Sequence, residues 1–208
     1  KGKSGFLLSR IREKVEGLLK GVAKILIKAK FTPNVLTVLG LGLSVAAAFF
    51  YAFPENLKYF WVAAILLLFS GFCDVLDGVV ARVSGRSTLF GGFLDSVVDR
   101  YSDAIVLFGI TFHFSTKTIF WVYGYIWGFF AVLGSILVSY TRAKAESLNM
   151  KLEGVGLTER PERTLILIVS SIFLHPEFGL MVLAVLTNVT VVQRILYTFK
   201  QLKKLEKG

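Results

Sequence analysis

The 208-residue chain is 54% hydrophobic and only 18% charged, with a mean hydropathy of +0.66, which excludes an ordinary soluble globular domain and reads as an integral membrane protein. Its formal charge of +10 would suit nucleic acid, but the basic residues gather at the ends of apolar runs, so the charge points to a membrane surface and not to a nucleic-acid partner. The lone cysteine, Cys73, cannot form an internal disulfide and is assigned no role.

The first segment, residues 1–31, reads as an amphipathic juxtamembrane helix. Leu8, Ile11, Val15, Leu18, Leu19, Val22 and Leu26 recur at helical spacing, while Lys14, Lys20, Lys24 and Lys28 fall elsewhere on the wheel. The competing reading is a helix packed on a soluble partner domain. Continuity with a spanning helix favours the membrane surface. The segment is too basic and too periodic for a cleavable signal peptide, and a start at Lys1 instead of Met predicts trimming from a longer chain.

Residues 32–208 read as one transmembrane domain. Thr32 is placed to cap a helix and Pro33 to occupy its first turn. About six apolar runs are long enough to cross the hydrocarbon, which needs roughly 20 residues each. They lie near 33–53, 59–83, 89–114, 118–142, 163–180 and 181–200; the last two are either separate segments divided by a turn at Pro176-Glu177-Phe178-Gly179 or one longer, broken helix. The fold class is therefore all-α: about six transmembrane helices behind an interfacial one. The N-terminal stretch, the Arg82/Arg86 loop, the loop from Arg142 to Arg163 and the C-terminal "KQLKKLEKG" are basic, whereas the loops at 54–58, 115–117 and 175–178 are nearly free of such residues. The positive-inside rule then makes the protein multi-pass in the cell membrane, with both termini cytoplasmic.

Four carboxylates interrupt this pattern on the cytoplasmic side. Asp74 and Asp77 are three apart at the end of the second run, and Asp95 and Asp99 are four apart at the start of the third, so each pair shares a helical face. Ionised aspartates at the edge of hydrocarbon are costly unless paired, metal-bound or functional. Two such faces side by side make an oxygen clamp for hard divalent cations, Mg²⁺ or Mn²⁺ before zinc, since no cysteine or histidine joins them. His113 and His175 sit near the opposite membrane face and read as ordinary interfacial histidines. Gly78, Gly85, Gly91 and Gly92 remove side chains beside the acids; they either admit a bulky polar substrate or let helices pack closely, and Gly78 favours the substrate. Arg82, one turn beyond Gly78, is placed to contact a phosphate, or simply marks a cytoplasmic helix end. Cations, small residues and an arginine together are equipment for phosphoryl transfer.

Asp74-x-x-Asp77-Gly78-x-x-Ala81-Arg82, eight residues, then Gly91-x-x-x-Asp95-x-x-x-Asp99 resembles the signature of the CDP-alcohol phosphotransferase family at every specified position. The resemblance covers nearly the whole chain. It implies an enzyme, working as a homodimer, that moves a phosphatidyl-type group from a CDP-linked alcohol to an acceptor hydroxyl and releases CMP. It also implies that Asp74, Asp77, Asp95 and Asp99 hold two divalent cations, that Asp99 is the base, and that Asp74, Gly78, Ala81 and Arg82 bind the CDP donor.

Acceptor choice must lie outside the signature. Arg142, Arg160, Arg163 and Arg194 form an unusual supply of cytoplasmic cations, and Arg194 falls inside an apolar segment where an unpaired charge is expensive. Positive-inside bias with local pairing to glutamates is one account, and it suffices for Lys144 and Lys151. The other is an anion pocket for an acceptor that itself carries a phosphate. The four arginines are similar to the acceptor pocket of the branch that uses inositol 1-phosphate to make phosphatidylinositol phosphate or archaetidylinositol phosphate, and "SYTRAKAESL" and "GVGLTERPERT" resemble its archaeal side, with CDP-archaeol as donor. Competing acceptors are glycerol 3-phosphate and, with CDP-inositol as donor, inositol phosphate. From other classes, membrane prenyltransferases would lack the Asp-Gly-x-x-Ala-Arg continuation, and an ion or proton transporter would hold its acids nearer mid-bilayer.

Overall fold

The structure is a computed structural model that describes residues 17, 19–150, 152 and 154–205. Helix α1 covers residues 19–28; Leu8, Ile11, Lys14, Val15 and Leu18 lie outside the described residues. It ends with Lys30 in the left-handed region (φ 63°) and with Phe31 N–H donating to the Leu26 carbonyl, a reversal that satisfies the last carbonyls. The apolar side of α1 is spent on protein. Leu19, Val22, Ala23, Leu26 and Ile27 pack against Leu36, Leu76, Val79 and Val80, while Lys20, Lys24 and Lys28 are exposed.

Helix α2 (Pro33–Ala52) packs against both α3 (Tyr59–Ser84) and α4 (Leu89–Phe114). Thr32 caps α2, its hydroxyl accepting from Val35 N–H, with Pro33 in the first turn as the sequence predicts. Thr88 caps α4 in the same way through Gly91 N–H at 2.9 Å. Gly85 closes α3 at φ +67°, a conformation side chains other than glycine rarely adopt. The α2–α4 crossing is close enough that a Cβ on Gly109 would lie 2.4 Å from the Ala48 carbonyl oxygen.

The expected fourth span begins too early. Residues Thr118–Ile119 (β1) and Val122–Tyr123 (β2) form an antiparallel hairpin, paired Thr118 to Tyr123 and Ile119 to Val122. Phe120 and Trp121 make the two-residue turn with φ of 48° and 59°, the mirror-image turn that matches strand twist. Trp127 Nε1 donates to the Ile119 carbonyl at 3.0 Å, so α5 starts only at Gly124 and runs to Glu146.

The division between the last two runs also moves. Helix α6 (Arg160–Ile172) is 13 residues long and is followed by Leu174 at φ 64°; α7 (Pro176–Leu205) then runs unbroken through Phe178 and Gly179. Proline costs nothing at a first helical position, where the N–H has no partner anyway, so Pro176 starts a helix where the sequence reading placed a turn.

Among the described residues, four helices are long and apolar enough to cross a membrane: α2, α3, α5 and α7. Helix α4 has the length but carries Asp95, Asp99, Arg100 and Asp103. Side chains such as Phe69, Phe108 and Phe129 are exposed on these helices, as a lipid-facing surface requires. The main core, with Tyr51, Phe60, Leu67, Leu107, Ile110 and Leu183, fills the bundle toward the hairpin end. Tyr51 and Ser171 share a 2.6 Å hydrogen bond within it. The acids lie at the other end, where α3 finishes and α4 begins.

Candidate active site

Helix α2 packs against both α3 and α4, and the i,i+3 pair of α3 and the i,i+4 pair of α4 contribute to one acidic cluster. One carboxylate oxygen each from Asp74, Asp95 and Asp99 comes within 4.8 Å of the others. Asp77 is 6% exposed and is turned toward α2, where Oδ2 accepts from Thr37 Oγ1 at 2.6 Å. Asp95 Oδ1 is buried with no hydrogen-bond partner among the described residues. Such an orphaned acceptor is expensive to leave unmade.

These residues fit a divalent cation. The donors are all carboxylate oxygens, the preference of Mg²⁺ and Mn²⁺. Oxygens bound at about 2.1 Å sit roughly 3–4 Å apart, so the cluster needs only a small closing movement.

The arginines from α6 reach the same place. Arg160 Nη1 lies 2.5 Å from Asp74 Oδ1 and 2.8 Å from Asp99 Oδ1, and its Nε lies 3.5 Å from Asp103 Oδ1. Arg163, 4% exposed, places Nη2 2.6 Å from Asp103 Oδ2. The backbone that aims them is fixed locally: Glu159 caps α6 in a reciprocal box, its N–H donating to Glu162 Oε2 at 3.0 Å, and Pro161 follows in the first turn.

Arg194 is 2% exposed on α7. It donates from Nη1 to the Val138 carbonyl and from Nε to the Val155 carbonyl at 2.9 Å, and its Nη2 lies 3.6 Å from Glu159 Oε1. A charge inside an apolar helix is thus satisfied by backbone oxygens and one carboxylate. Arg142 pairs with Glu146 at 3.0 Å near the surface. All four predicted arginines border a single cavity of about 130 Å³, together with Asp99 and Asp103.

Gly78 sits on α3 with Arg82 folded over it: a Cβ there would lie 3.3 Å from Arg82 Nη1. Ala81 is half-buried, and its carbonyl accepts Arg86 N–H as α3 ends. Both residues lie beyond Asp77 at the end of the same helix. A second cavity, about 360 Å³, begins at Asp74 and Arg160 and continues between α3 and α6 past Leu67, Phe72, Leu165 and Ile168.

Two residues that the sequence reading did not single out belong to the site. Asp103 carries Arg163 and part of Arg160; its signal was the i+4 step from Asp99, the same step that separates Asp95 from Asp99. Thr37 holds Asp77 from a helix with no acidic residue of its own, and nothing local in the sequence marks it.

Residues 30–195 match the family model described as CDP-alcohol phosphatidyltransferase. The chain is 35% identical over 204 residues to the archaetidylinositol phosphate synthase of Pyrococcus horikoshii, an alignment that covers 97% of this chain and 100% of that one. Among solved structures it is similar to the phosphatidylinositol phosphate synthase of Mycobacterium tuberculosis. The form with manganese and citrate gives a TM-score of 0.73 at 30% identity, covering 87% of this chain and 88% of the other. The form with CDP-DAG bound also gives 0.73, at 29% identity, covering 87% and 93%.

Proposed function

The chain belongs to the CDP-alcohol phosphatidyltransferase family, and on that premise we propose that it transfers an archaetidyl or phosphatidyl group from a CDP-linked lipid to inositol 1-phosphate, releasing CMP. One observation carries the acceptor assignment. Arg142, Arg160, Arg163 and Arg194, from three different helices, border one cavity with Asp99 in its wall. A neutral acceptor would need no such basic lining, whereas a phosphomonoester presents a dianion to guanidinium forks. Arg163 Nε is buried with no hydrogen-bond partner among the described residues, so donor capacity remains there for an anion. The name of the Pyrococcus relative agrees with this choice.

The donor fits the other cavity. Its apolar length between α3 and α6 suits a lipid tail, and its polar end reaches Asp74 beside Gly78 and Arg82, which take the nucleotide. The manganese-bound and CDP-DAG-bound structures of the tuberculosis enzyme support a metal-dependent CDP-lipid reaction. Asp74, Asp77, Asp95 and Asp99 would hold two divalent cations, Mg²⁺ or Mn²⁺. When bound, the cations neutralise the diphosphate and stabilise charge on the leaving group.

The chain's own residues then do the following. The acceptor cavity presents the inositol hydroxyl to Asp99, which takes its proton. The hydroxyl oxygen forms a bond to the β-phosphorus of the donor, the bond from that phosphorus to the bridging oxygen breaks, and CMP leaves with the electron pair. Arg160 and Arg163 hold the acceptor phosphate away from the reacting phosphorus and so set which hydroxyl attacks.

In this reading α4 and α6 complete six crossings, residues 32–208 are the catalytic domain of a homodimer, and both termini and the site face the cytoplasm. Within the juxtamembrane segment 1–31, α1 has its lysines toward lipid headgroups and an apolar side docked on α2 and α3. The test is divalent-cation-dependent CMP release by the purified protein. CDP-archaeol and CDP-diacylglycerol are offered as donors, each with inositol 1-phosphate, glycerol 3-phosphate or serine, and CDP-inositol is offered with inositol 1-phosphate. Release that needs a CDP-lipid and inositol 1-phosphate supports the assignment; release with glycerol 3-phosphate instead overturns the acceptor, and ion flux without CMP overturns the reaction.

A further inference from the structure

The acidic cluster already contains a cation, and it is part of the protein. Arg160 Nη1 bridges Asp74 and Asp99, which are two of the three carboxylates whose oxygens converge. The third, Asp95, has a buried oxygen with no partner among the described residues. The same guanidinium therefore uses up oxygens that a divalent cation would need, and leaves the cluster half satisfied.

Arg160 and Arg163 differ in how firmly they are held. Arg163 is buried against one carboxylate, Asp103, which is outside the converging cluster. The Arg160 side chain is 22% exposed, is shared among Asp74, Asp99 and Asp103, and borders both the donor-side and the acceptor-side cavities. Its backbone cannot follow it, because the capping box and Pro161 fix the first turn of α6. Any change of partner is a side-chain rotation.

We propose that Arg160 is a resident counter-cation that must leave Asp74 and Asp99 before divalent cations occupy them, and that its guanidinium then turns into the arginine-lined cavity to receive an anion. The inference rests on the reading of the aspartates as a divalent-cation site. Two consequences follow. Without metal, Arg160 keeps the acids from repelling one another, so the empty site does not unfold. With metal, the acceptor cavity gains a charge that was committed elsewhere, which couples the two sides of the reaction through one side chain.

The test measures Mn²⁺ binding to wild-type protein, Arg160→Gln and Arg163→Gln after chelation and dialysis, from the electron paramagnetic resonance signal of unbound Mn²⁺, with no donor or acceptor present. Both substitutions remove one positive charge from α6, and only the first removes the occupant. Arg160→Gln is expected to bind Mn²⁺ at least tenfold more tightly than wild type, and Arg163→Gln less than threefold more tightly. Equal gains, or no gain for Arg160→Gln, overturn the swap while leaving the metal site in place. No Mn²⁺ binding by any of the three overturns the metal reading and the swap with it. Should Arg160→Gln fail to fold, phenylglyoxal labelling of wild-type protein decides the matter: Arg160 is expected to be protected in chelator and labelled with saturating Mn²⁺, and unchanged labelling overturns the swap.

Discussion

Asp103 offers the sharpest test of how the site is held. Replacing it by alanine leaves the Arg163 guanidinium, in a residue 4% exposed, without the carboxylate oxygen 2.6 Å away. Breaking a buried pair by removing one partner costs about 3–5 kcal/mol, because the surviving charge is desolvated and uncompensated. The Asp103 side chain keeps 17% exposure, so water can relieve part of the loss and the lower end, about 3 kcal/mol, is expected. At roughly 2–4 °C per kcal/mol for a chain of this size, the unfolding midpoint should fall by about 6–12 °C. Thermal unfolding in detergent, followed by near-ultraviolet circular dichroism, measures it. A double variant, Asp103→Leu with Arg163→Met, removes both charges and fills similar volume, and should recover to within about 1 kcal/mol of wild type. A single variant that loses less than about 1 kcal/mol, or a double variant no better than the single, would refute the argument that this pair is a buried ionic strut.

Asp99→Asn should lower CMP release by about 10²–10⁴-fold, the range for loss of a general base, while donor binding in a filter assay is retained; normal turnover would remove Asp99 from the mechanism. Arg194→Ala should raise the KM for inositol 1-phosphate far more than that for the CDP-lipid, since Arg194 borders the acceptor cavity and ties down the carbonyls of Val138 and Val155; equal effects on both would argue against an acceptor-side role. Gly109→Ala should destabilise by about 1–3 kcal/mol, because the added Cβ meets the Ala48 backbone and not a movable side chain; an unchanged unfolding midpoint would contradict the close approach of α2 and α4.

What could be read in advance was whatever depends on local spacing. The Thr32-Pro33 start of α2 follows from side-chain chemistry within one turn, and the face shared by Asp95 and Asp99 follows from helix geometry alone. What could not be read depends on which element meets which. An amphipathic pattern looks the same whether its apolar face meets lipid or protein, so the docking of Ala23 and Leu26 on α2 and α3 was invisible. The hairpin was hidden because Phe120 and Trp121 adopt left-handed backbone that asparagine and glycine usually signal. Arg160 was legible as a cation near the acceptor side, but its contact with Asp74 and Asp99 exists only because α6 packs across α3.

Helix α4 has one more consequence, and it concerns how the protein is made. Its central part bears Asp95, Asp99, Arg100 and Asp103, between the apolar Leu89–Leu94 and the largely apolar stretch from Ala104 to Phe114. Each such charge near the middle of a lone helix adds about 2.5–3.5 kcal/mol to the cost of entering a bilayer, and the four together outweigh the apolar flanks, whose residues each return only about 0.3–0.6 kcal/mol. Helix α4 is therefore poorly able to leave the insertion machinery alone. In the proposed six-span arrangement it should enter alongside α2 and α3, so that integration into the membrane and assembly of the carboxylate cluster become a single event in biosynthesis.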